Sequence, residues 1–178
     1  GRYFCFHAGI GYDAAVVELV ERRASLKRIV GQPLFAFSAM QAWFSTYDRK
    51  FPHFNVEIDG QKIPNGYFTI ALNSNPYTYM GKKSVNLSAA ASLDKKLVAI
   101  TFRKLTTPHM MRTMLQAIRT EGIRVSSGVD IQTDVEDIKI NFPAPFPYQL
   151  DGDYLGEQIS LHIEHCPDAL RLVKPIIV

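Results

Sequence analysis

The sequence is poor in cysteine, in long apolar runs and in net charge, and each shortage excludes a class of protein. Its two cysteines, Cys5 and Cys166, lie far apart without metal-ligand spacing, which favours reduced thiols inside a cell; a terminal disulfide is the alternative. No apolar run approaches the roughly 18 residues that span a bilayer, and the first residues lack a signal-peptide pattern. A net charge of only +3 argues against a nucleic-acid binder but suits a mildly basic face toward anionic lipid. We therefore expect a cytoplasmic protein.

Strand-like runs outnumber helical ones and are joined by short turns. Residues 54–58 alternate between apolar and polar, Asp59-Gly60 forms a hairpin turn after them, and residues 67–72 are more uniformly apolar. Further strands are expected at 97–102 and around 123–131, 135–142 and 158–164. With 178 residues, 47% hydrophobic and 21% charged, the chain suits one globular domain, 1–178. The expected fold is α+β, with a β-rich antiparallel sheet or sandwich and two or three peripheral helices.

Helical spacing predicts three helices. The first follows Asp13, which we expect to cap it, and the third begins near Thr107 and ends at Gly122. In the third helix the exposed face should carry His109. Its predicted buried face consists of Met110, Met111, Met114, Leu115 and Ile118.

The second helix, from roughly Pro33 to Thr46, has an apolar arc wider than a surface helix normally shows. Such an arc is typical of a core helix, and it also suits a pocket for an acyl chain. The residues of this arc that would contact a lipid are Phe37, Met40, Trp43 and Phe44.

An acidic turn, Asp151-Gly152-Asp153, joins the last two strand-like runs. Asp-Gly is the commonest hairpin signal, and Asp59-Gly60 shows that a plain turn can explain such a pair. Asp153 adds a second carboxylate, so a rigid turn could present two anionic groups to a metal-phosphate ligand. Both interpretations are open on spacing alone. The nearby His162 and Glu164 would share one strand face, but His165 would point away, which argues against a metal site there.

The acidic turn and the segments around it resemble the diacylglycerol and sphingosine lipid kinases. Asp151-Gly152-Asp153 followed by a strand and Pro167-Asp168-Ala169-Leu170 is similar to the family's closing Asp-Gly-Glu and Pro-Gly-Ala-Leu, with Asp153 in place of Glu and Asp168 in place of Gly. Gly9 and Asp13 match its Gly-x-x-x-Asp spacing. The Pro-Tyr-Thr-Tyr run at 76–79 resembles actinobacterial members.

The resemblance implies a fold, an activity and roles for several residues. The fold is the β-rich C-terminal domain of the lipid kinase and NAD kinase superfamily, and the activity is transfer of the ATP γ-phosphoryl group to a lipid hydroxyl such as that of diacylglycerol. Asp151 would activate the hydroxyl or hold a Mg²⁺ network, and Asp153 would support the metal. Asp13, beside Gly9, would orient the lipid head group. Asp94 matches an acidic turn that holds a structural Mg²⁺ in bacterial relatives.

The family's nucleotide loop, Gly-Gly-Asp-Gly-Thr, does not occur in this sequence. We therefore expect an N-terminal nucleotide-binding domain, absent from this chain, to bind most of the ATP and to be a partner of this domain. The chain alone should be inactive. The other expected partner is a lipid at a membrane surface, with no nucleic acid; a homodimer is left open. The alternative functions are a non-catalytic lipid-binding β domain, whose carboxylates are only turn residues, and an NAD-kinase-type enzyme.

Overall fold

The computed structural model describes residues 1–22 and 54–169. The predicted second helix, with Phe37, Met40, Trp43 and Phe44, lies outside the described residues. Within those residues the chain forms ten strands and two helices. In chain order they are β1 (His7–Gly11), α1 (Tyr12–Glu21), β2 (Phe54–Ile58), β3 (Gln61–Gly66), β4 (Phe68–Leu72), β5 (Thr78–Met80), β6 (Lys83–Val85), β7 (Leu97–Phe102), α2 (Thr107–Arg119), β8 (Val129–Val135), β9 (Asp137–Leu150) and β10 (Asp153–Glu164).

Eight strands form one antiparallel sheet in the order β3-β2-β9-β1-β4-β7-β8, with β10 paired to β9. Strands β5 and β6 form a separate hairpin. Strand β9 organises the sheet because one of its edges pairs with β2 at 138–141 and with β1 at 148–150, while β10 takes its other edge. The predicted α+β fold with an antiparallel sheet is confirmed.

Strand β9 is longer than the sequence predicts, since it continues from 142 to 150 through Pro143, Pro145 and Pro147. Among the described residues, no strand pairs with 142–147 on the edge that β2 and β1 share. Because strand residues two apart point their N–H groups to the same edge, the three prolines remove donors from a single edge. The prolines are therefore compatible with a long strand that is paired on one side.

The sheet buries apolar side chains on both faces. In β4 and β7, Phe68, Ile100 and Phe102 belong to one cluster, whereas Ala71 and Ala99 belong to another on the opposite face. The rings of Phe68 and Phe102 stack at 4.0 Å across the strand pair. Near-continuous burial of β1, β4 and β7 makes these strands the rigid centre of the domain. That centre carries the N-terminal end of α1.

The prediction for the buried face of helix α2 is right only in part, since Met110 and Ile118 are half-buried against the core. Met111, Met114 and Leu115 are 59%, 50% and 44% exposed, whereas the small residues Thr113 and Ala117 are buried. The Ala117 carbonyl accepts the Asn86 N–H at 2.7 Å, so the helix packs closely through its small-residue stripe. His109, predicted to be exposed, is half-buried, and α2 ends at Arg119 with Thr120 as an extended C-cap, before Gly122. No helix in the described ranges is long and apolar enough to cross a membrane.

Candidate functional site

The site begins where β1 turns into α1. Gly11 serves as N-cap with φ of 85°, a left-handed conformation that glycine adopts without strain, and the helix starts at Tyr12. Asp13 is thus inside the first turn, and the N-cap residue, Gly11, has no side chain with which to cap the helix. The prediction that Asp13 caps the helix is therefore wrong. Its negative charge still lies at the favourable end of the helix dipole.

The Asp13 carboxylate is 8% exposed and is held by two side chains from distant parts of the sequence. Tyr77 donates its phenol hydrogen to Oδ1, and the Gln149 amide donates to Oδ2 at 2.7 Å. A buried carboxylate needs such donors because an unpaired charge in the interior is costly. Both oxygens of the predicted head-group residue are therefore already hydrogen-bonded within the domain.

Gly9 provides the space for this arrangement. A Cβ atom at Gly9 would lie 1.7 Å from Asp13 Oδ2 and 2.5 Å from Gln149 Nε2. Gly9 is also the direct antiparallel neighbour of Gln149, so the two residues share one face of the sheet. The match of Gly9 and Asp13 to a Gly-x-x-x-Asp pattern has a physical reason in this contact: the carboxylate lies against the bare glycine backbone.

Gln149 connects Asp13 to the acidic turn. It is fully buried, and while its amide nitrogen donates to Asp13, its amide oxygen accepts the Gly152 N–H at 2.8 Å. A second hydrogen bond joins α1 to the start of β10, directly after the acidic turn. In it the Tyr154 N–H donates to Glu21 Oε1 at 2.9 Å. The acidic turn therefore lies beside the first helix.

Asp151 adopts φ of 51°, and its carboxylate accepts three backbone N–H groups from the segment that enters β1. The Cys5 N–H donates to Oδ2 at 2.7 Å, and those of Phe6 and His7 donate to Oδ1 at 2.8 and 3.0 Å. The Asp151 N–H in turn donates to the His7 carbonyl at 2.9 Å. These bonds fasten the turn to the start of β1.

The other Asp-Gly turn, between β2 and β3, has the same construction. Asp59 has φ of 45°, and its Oδ1 accepts the N–H groups of Glu136 and Asp137 at 3.1 and 2.9 Å. Its own N–H donates to the Asp137 carbonyl at 3.0 Å. In both turns the aspartate anchors the first residues of a neighbouring strand. Anchoring is therefore one role of Asp151, and its predicted catalytic role stays a prediction.

Both Asp151 and Asp153 are exposed, but Asp153 differs because its carboxylate has no hydrogen-bond partner within the described part of the chain. It begins β10, two residues beyond the anchored aspartate. Asp94, the other predicted metal ligand, lies in the turn before β7, where the Asp94 N–H reaches Ser92 Oγ at 3.4 Å. The structure thus brings Gly9, Asp13 and the 151–153 turn together, while Asp94 belongs to a different loop.

Tyr77 and His7 complete the site on the side of the 73–77 loop. Their rings are 4.6 Å apart, and the Tyr77 N–H donates to the Val85 carbonyl at 3.0 Å. Burial, and then the nearby Asp13 charge, raise the pKa of Tyr77 well above its usual value of 10.0. Tyr77 therefore stays protonated and acts as a hydrogen-bond donor to Asp13.

Sequence reasoning missed Gln149, Tyr77 and His7. Gln149 left a signal, since a long amide between Tyr148 and Leu150 in a strand predicts a polar residue on the opposite face from its two neighbours. Tyr77 stood in the Pro-Tyr-Thr-Tyr run but without a role, and His7 left no signal, because both roles depend on a contact between segments about 70 positions apart.

Comparison with known proteins supports the fold. No protein-family model matches the sequence, and no curated protein matches it significantly. A solved structure of a diacylglycerol kinase from Bacillus anthracis str. Sterne matches with a TM-score of 0.55 at 12% identity, covering 93% of this chain and 47% of that one. A structure of a protein from the same organism, assigned as a diacylglycerol kinase, gives 0.59 at 14% identity, with coverage of 93% and 51%. The chain spans about half the length of these structures and shares their fold.

Proposed function

We propose that this chain is the lipid-acceptor half of a lipid kinase that transfers the ATP γ-phosphoryl group to a lipid hydroxyl such as that of diacylglycerol. The observation that carries the proposal is the Gln149 bridge, which holds the acidic turn beside Asp13 and α1. The fold likeness and the order of motifs from Gly9 to Pro167 support the same function. The nucleotide site would lie in the other half of a full-length protein.

In the proposed reaction the lipid hydroxyl oxygen bonds to the γ-phosphorus, the bond from phosphorus to the bridging oxygen breaks, and ADP leaves. The hydroxyl proton passes to a carboxylate of the acidic turn. Asp153 suits this task because its carboxylate is exposed, whereas both oxygens of Asp151 already accept backbone N–H groups. We therefore propose that Asp151 positions the turn and that Asp153 accepts the hydroxyl proton beside the phosphate.

Asp13 would orient the lipid head group. A carboxylate can accept about four hydrogen bonds, so two remain after those from Tyr77 and Gln149. Because these two donors fix the carboxylate, a head-group hydroxyl would meet an oxygen whose position is set in advance. Gly9 supports this role by leaving room for the carboxylate.

A Mg²⁺ ion would suit the exposed carboxylate of Asp153, since hard cations prefer carboxylate oxygens. Asp153 would hold it at the acidic turn, and Asp94 stays the predicted ligand of a second, structural ion. When bound beside the phosphates, Mg²⁺ supplies neutralisation of the charge that develops during transfer. The lipid would be reached at a membrane surface to which the protein is peripheral.

The test is a transfer assay with the full-length protein, γ-labelled ATP and vesicles that contain diacylglycerol. Label in the lipid fraction supports the proposal, and NAD in place of lipid tests the NAD-kinase alternative. A protein that binds diacylglycerol vesicles but transfers no label to any lipid hydroxyl would be a lipid-binding domain, and the proposal would be wrong.

A further inference from the structure

The far end of the β9–β10 hairpin, opposite the acidic turn, carries a cluster of three potential metal ligands. They are Asp137 of β9 and His162 and Glu164 of β10, and one ligand atom from each lies within 4.8 Å of the others. Asp137 and Glu164 are direct cross-strand neighbours, and His162 is two positions from Glu164 on the same face. The strand register therefore sets the cluster.

The distances are compatible with one small cation. His162 Nε2 contacts Asp137 Oδ2 and is 3.8 Å from Glu164 Oε1. Metal–ligand distances of about 2.0–2.2 Å place neighbouring ligand atoms of a tetrahedral site roughly 3.3 Å apart. Metal binding would therefore require the His162–Asp137 contact to open and Glu164 to move closer, and the side chains of His162 and Glu164, which are 45% and 70% exposed, have room for these rotations.

The charge around the cluster also favours a cation. Glu57 lies opposite Lys139 in the neighbouring strand, so Glu57, Asp137 and Glu164 place three carboxylates on this face of the sheet. Two ammonium groups are cross-strand neighbours of these carboxylates in the described residues: Lys62 lies opposite Glu57, and Lys139 has its Nζ 2.9 Å from Asp137 Oδ1. Lys139 thus contacts one Asp137 oxygen, and a metal would take the place of the His162–Oδ2 contact at the other.

We propose that Asp137, His162 and Glu164 bind a first-row divalent cation, with Zn²⁺ preferred over Mg²⁺. Imidazole nitrogen is a favourable ligand for Zn²⁺, whereas Mg²⁺ prefers oxygen alone. Water would complete the coordination. The ion would link β9 to β10 at the open end of the hairpin and thereby stabilise β10. This role is independent of phosphoryl transfer.

The experiment is calorimetric titration of the protein with ZnCl₂, and separately with MgCl₂, combined with thermal unfolding. We expect one Zn²⁺ to bind, to raise the melting temperature, and to bind more tightly than Mg²⁺. His162→Ala should weaken binding by at least about 10-fold, the lower range of loss when even the surroundings of a metal ligand change. Glu164→Gln, at a position that is more exposed, is a second variant that should weaken binding without altering the fold.

The matched controls are His165→Ala and Cys166→Ser, which remove neighbouring groups that also bind zinc. Both variants should retain the wild-type affinity. Zinc binding that survives both His162→Ala and Glu164→Gln, or that is lost in either control, would place the ion elsewhere and overturn the proposal. Equal affinity for Mg²⁺ and Zn²⁺ would also overturn it.

Discussion

Gln149 and Asp13 are 136 positions apart, yet the Gln149 amide donates a 2.7 Å hydrogen bond to the Asp13 carboxylate inside the domain. Gln149 is fully buried and Asp13 nearly so. The amide oxygen of Gln149 accepts the Gly152 N–H, so this one side chain sets the distance between the first helix and the acidic turn. The four predictions below test whether this connection supports both the fold and the proposed reaction.

The first prediction concerns Gly9. Gly9→Ala introduces a Cβ 1.7 Å from Asp13 Oδ2, so the carboxylate must leave its position and lose the Gln149 hydrogen bond. We expect a loss of unfolding free energy of about 2–3 kcal/mol, the upper range for overpacking. Urea denaturation measures it.

Gly60→Ala is the control for Gly9→Ala. A Cβ at Gly60 meets no atom within 4 Å, but its φ of 81° strains an alanine, which costs about 1–2 kcal/mol. Gly9→Ala should therefore destabilise the protein more than Gly60→Ala. The reverse order would show that the protein relieves the close contact at Gly9 with little loss of unfolding free energy.

The second prediction compares the aspartates of the two Asp-Gly turns. Asp151→Asn replaces an acceptor oxygen with an amide that faces backbone N–H groups, so the unfolding free energy should fall by about 1.5–3 kcal/mol. Asp59→Asn should destabilise in the same direction, and less, because Asp59 accepts two N–H groups instead of three.

Activity separates these two variants. In the full-length protein, at a temperature where both variants are folded, Asp151→Asn should lower kcat because the turn that carries Asp153 loosens. Asp59→Asn should leave kcat unchanged, since its turn joins β2 and β3. Equal kcat for both variants and the wild type would remove Asp151 from the site and end the role that we assign to it.

The third prediction is a pH dependence at Tyr77. Tyr77→Phe keeps the ring against His7 but leaves Asp13 Oδ1 without its donor, which should cost about 1–3 kcal/mol near neutral pH. The raised pKa of Tyr77 means that the folded state disfavours its ionisation. This contribution is fully present below the unfolded value of 10.0 and is lost as the pH rises from there through the folded pKa.

The difference in stability between wild type and Tyr77→Phe should therefore shrink above pH 10 by about 1.4 kcal/mol per pH unit. Urea denaturation of both proteins at about pH 8 and pH 11 measures it, and groups that titrate in both proteins cancel in the difference. A difference that stays constant over this range would contradict the inferred effect of burial and of Asp13.

The sequence contains enough information to predict the class of fold and the neighbourhood of the acidic turn. Alternation in residues 54–58 marks a strand with one buried face, and Asp59-Gly60 and Asp151-Gly152 mark the hairpins on which β3 and β10 depend. In 158–164 the alternation predicts the strand but only part of its buried face, since Ile163 is buried while Ile159, beside a register shift, is 57% exposed. These features are local, so they can be recognised in the sequence without knowing which segments pack together in the fold.

The errors arise where the packing partner decides the outcome. Met111 and Met114 have helical spacing typical of a buried face, yet the buried residues of α2 are Thr113 and Ala117, and Ala117 contacts the 86–88 loop because a small residue allows a closer approach. Asp13 has the type and position of a cap, yet Tyr77 and Gln149 draw its carboxylate into the interior. Neither partner is near in sequence, so helical periodicity alone could not reveal it.

The fourth prediction tests the central claim most directly, because it changes an exposed carboxylate without disturbing the fold. The measurement is the initial rate of phosphate transfer from ATP to diacylglycerol vesicles by the full-length protein, for Asp153→Asn and for Glu157→Gln, an exposed carboxylate further along β10. The account predicts that Asp153→Asn loses at least about 100-fold in rate while Glu157→Gln retains the wild-type rate. Full activity in Asp153→Asn, or an equal loss in both variants, would contradict it.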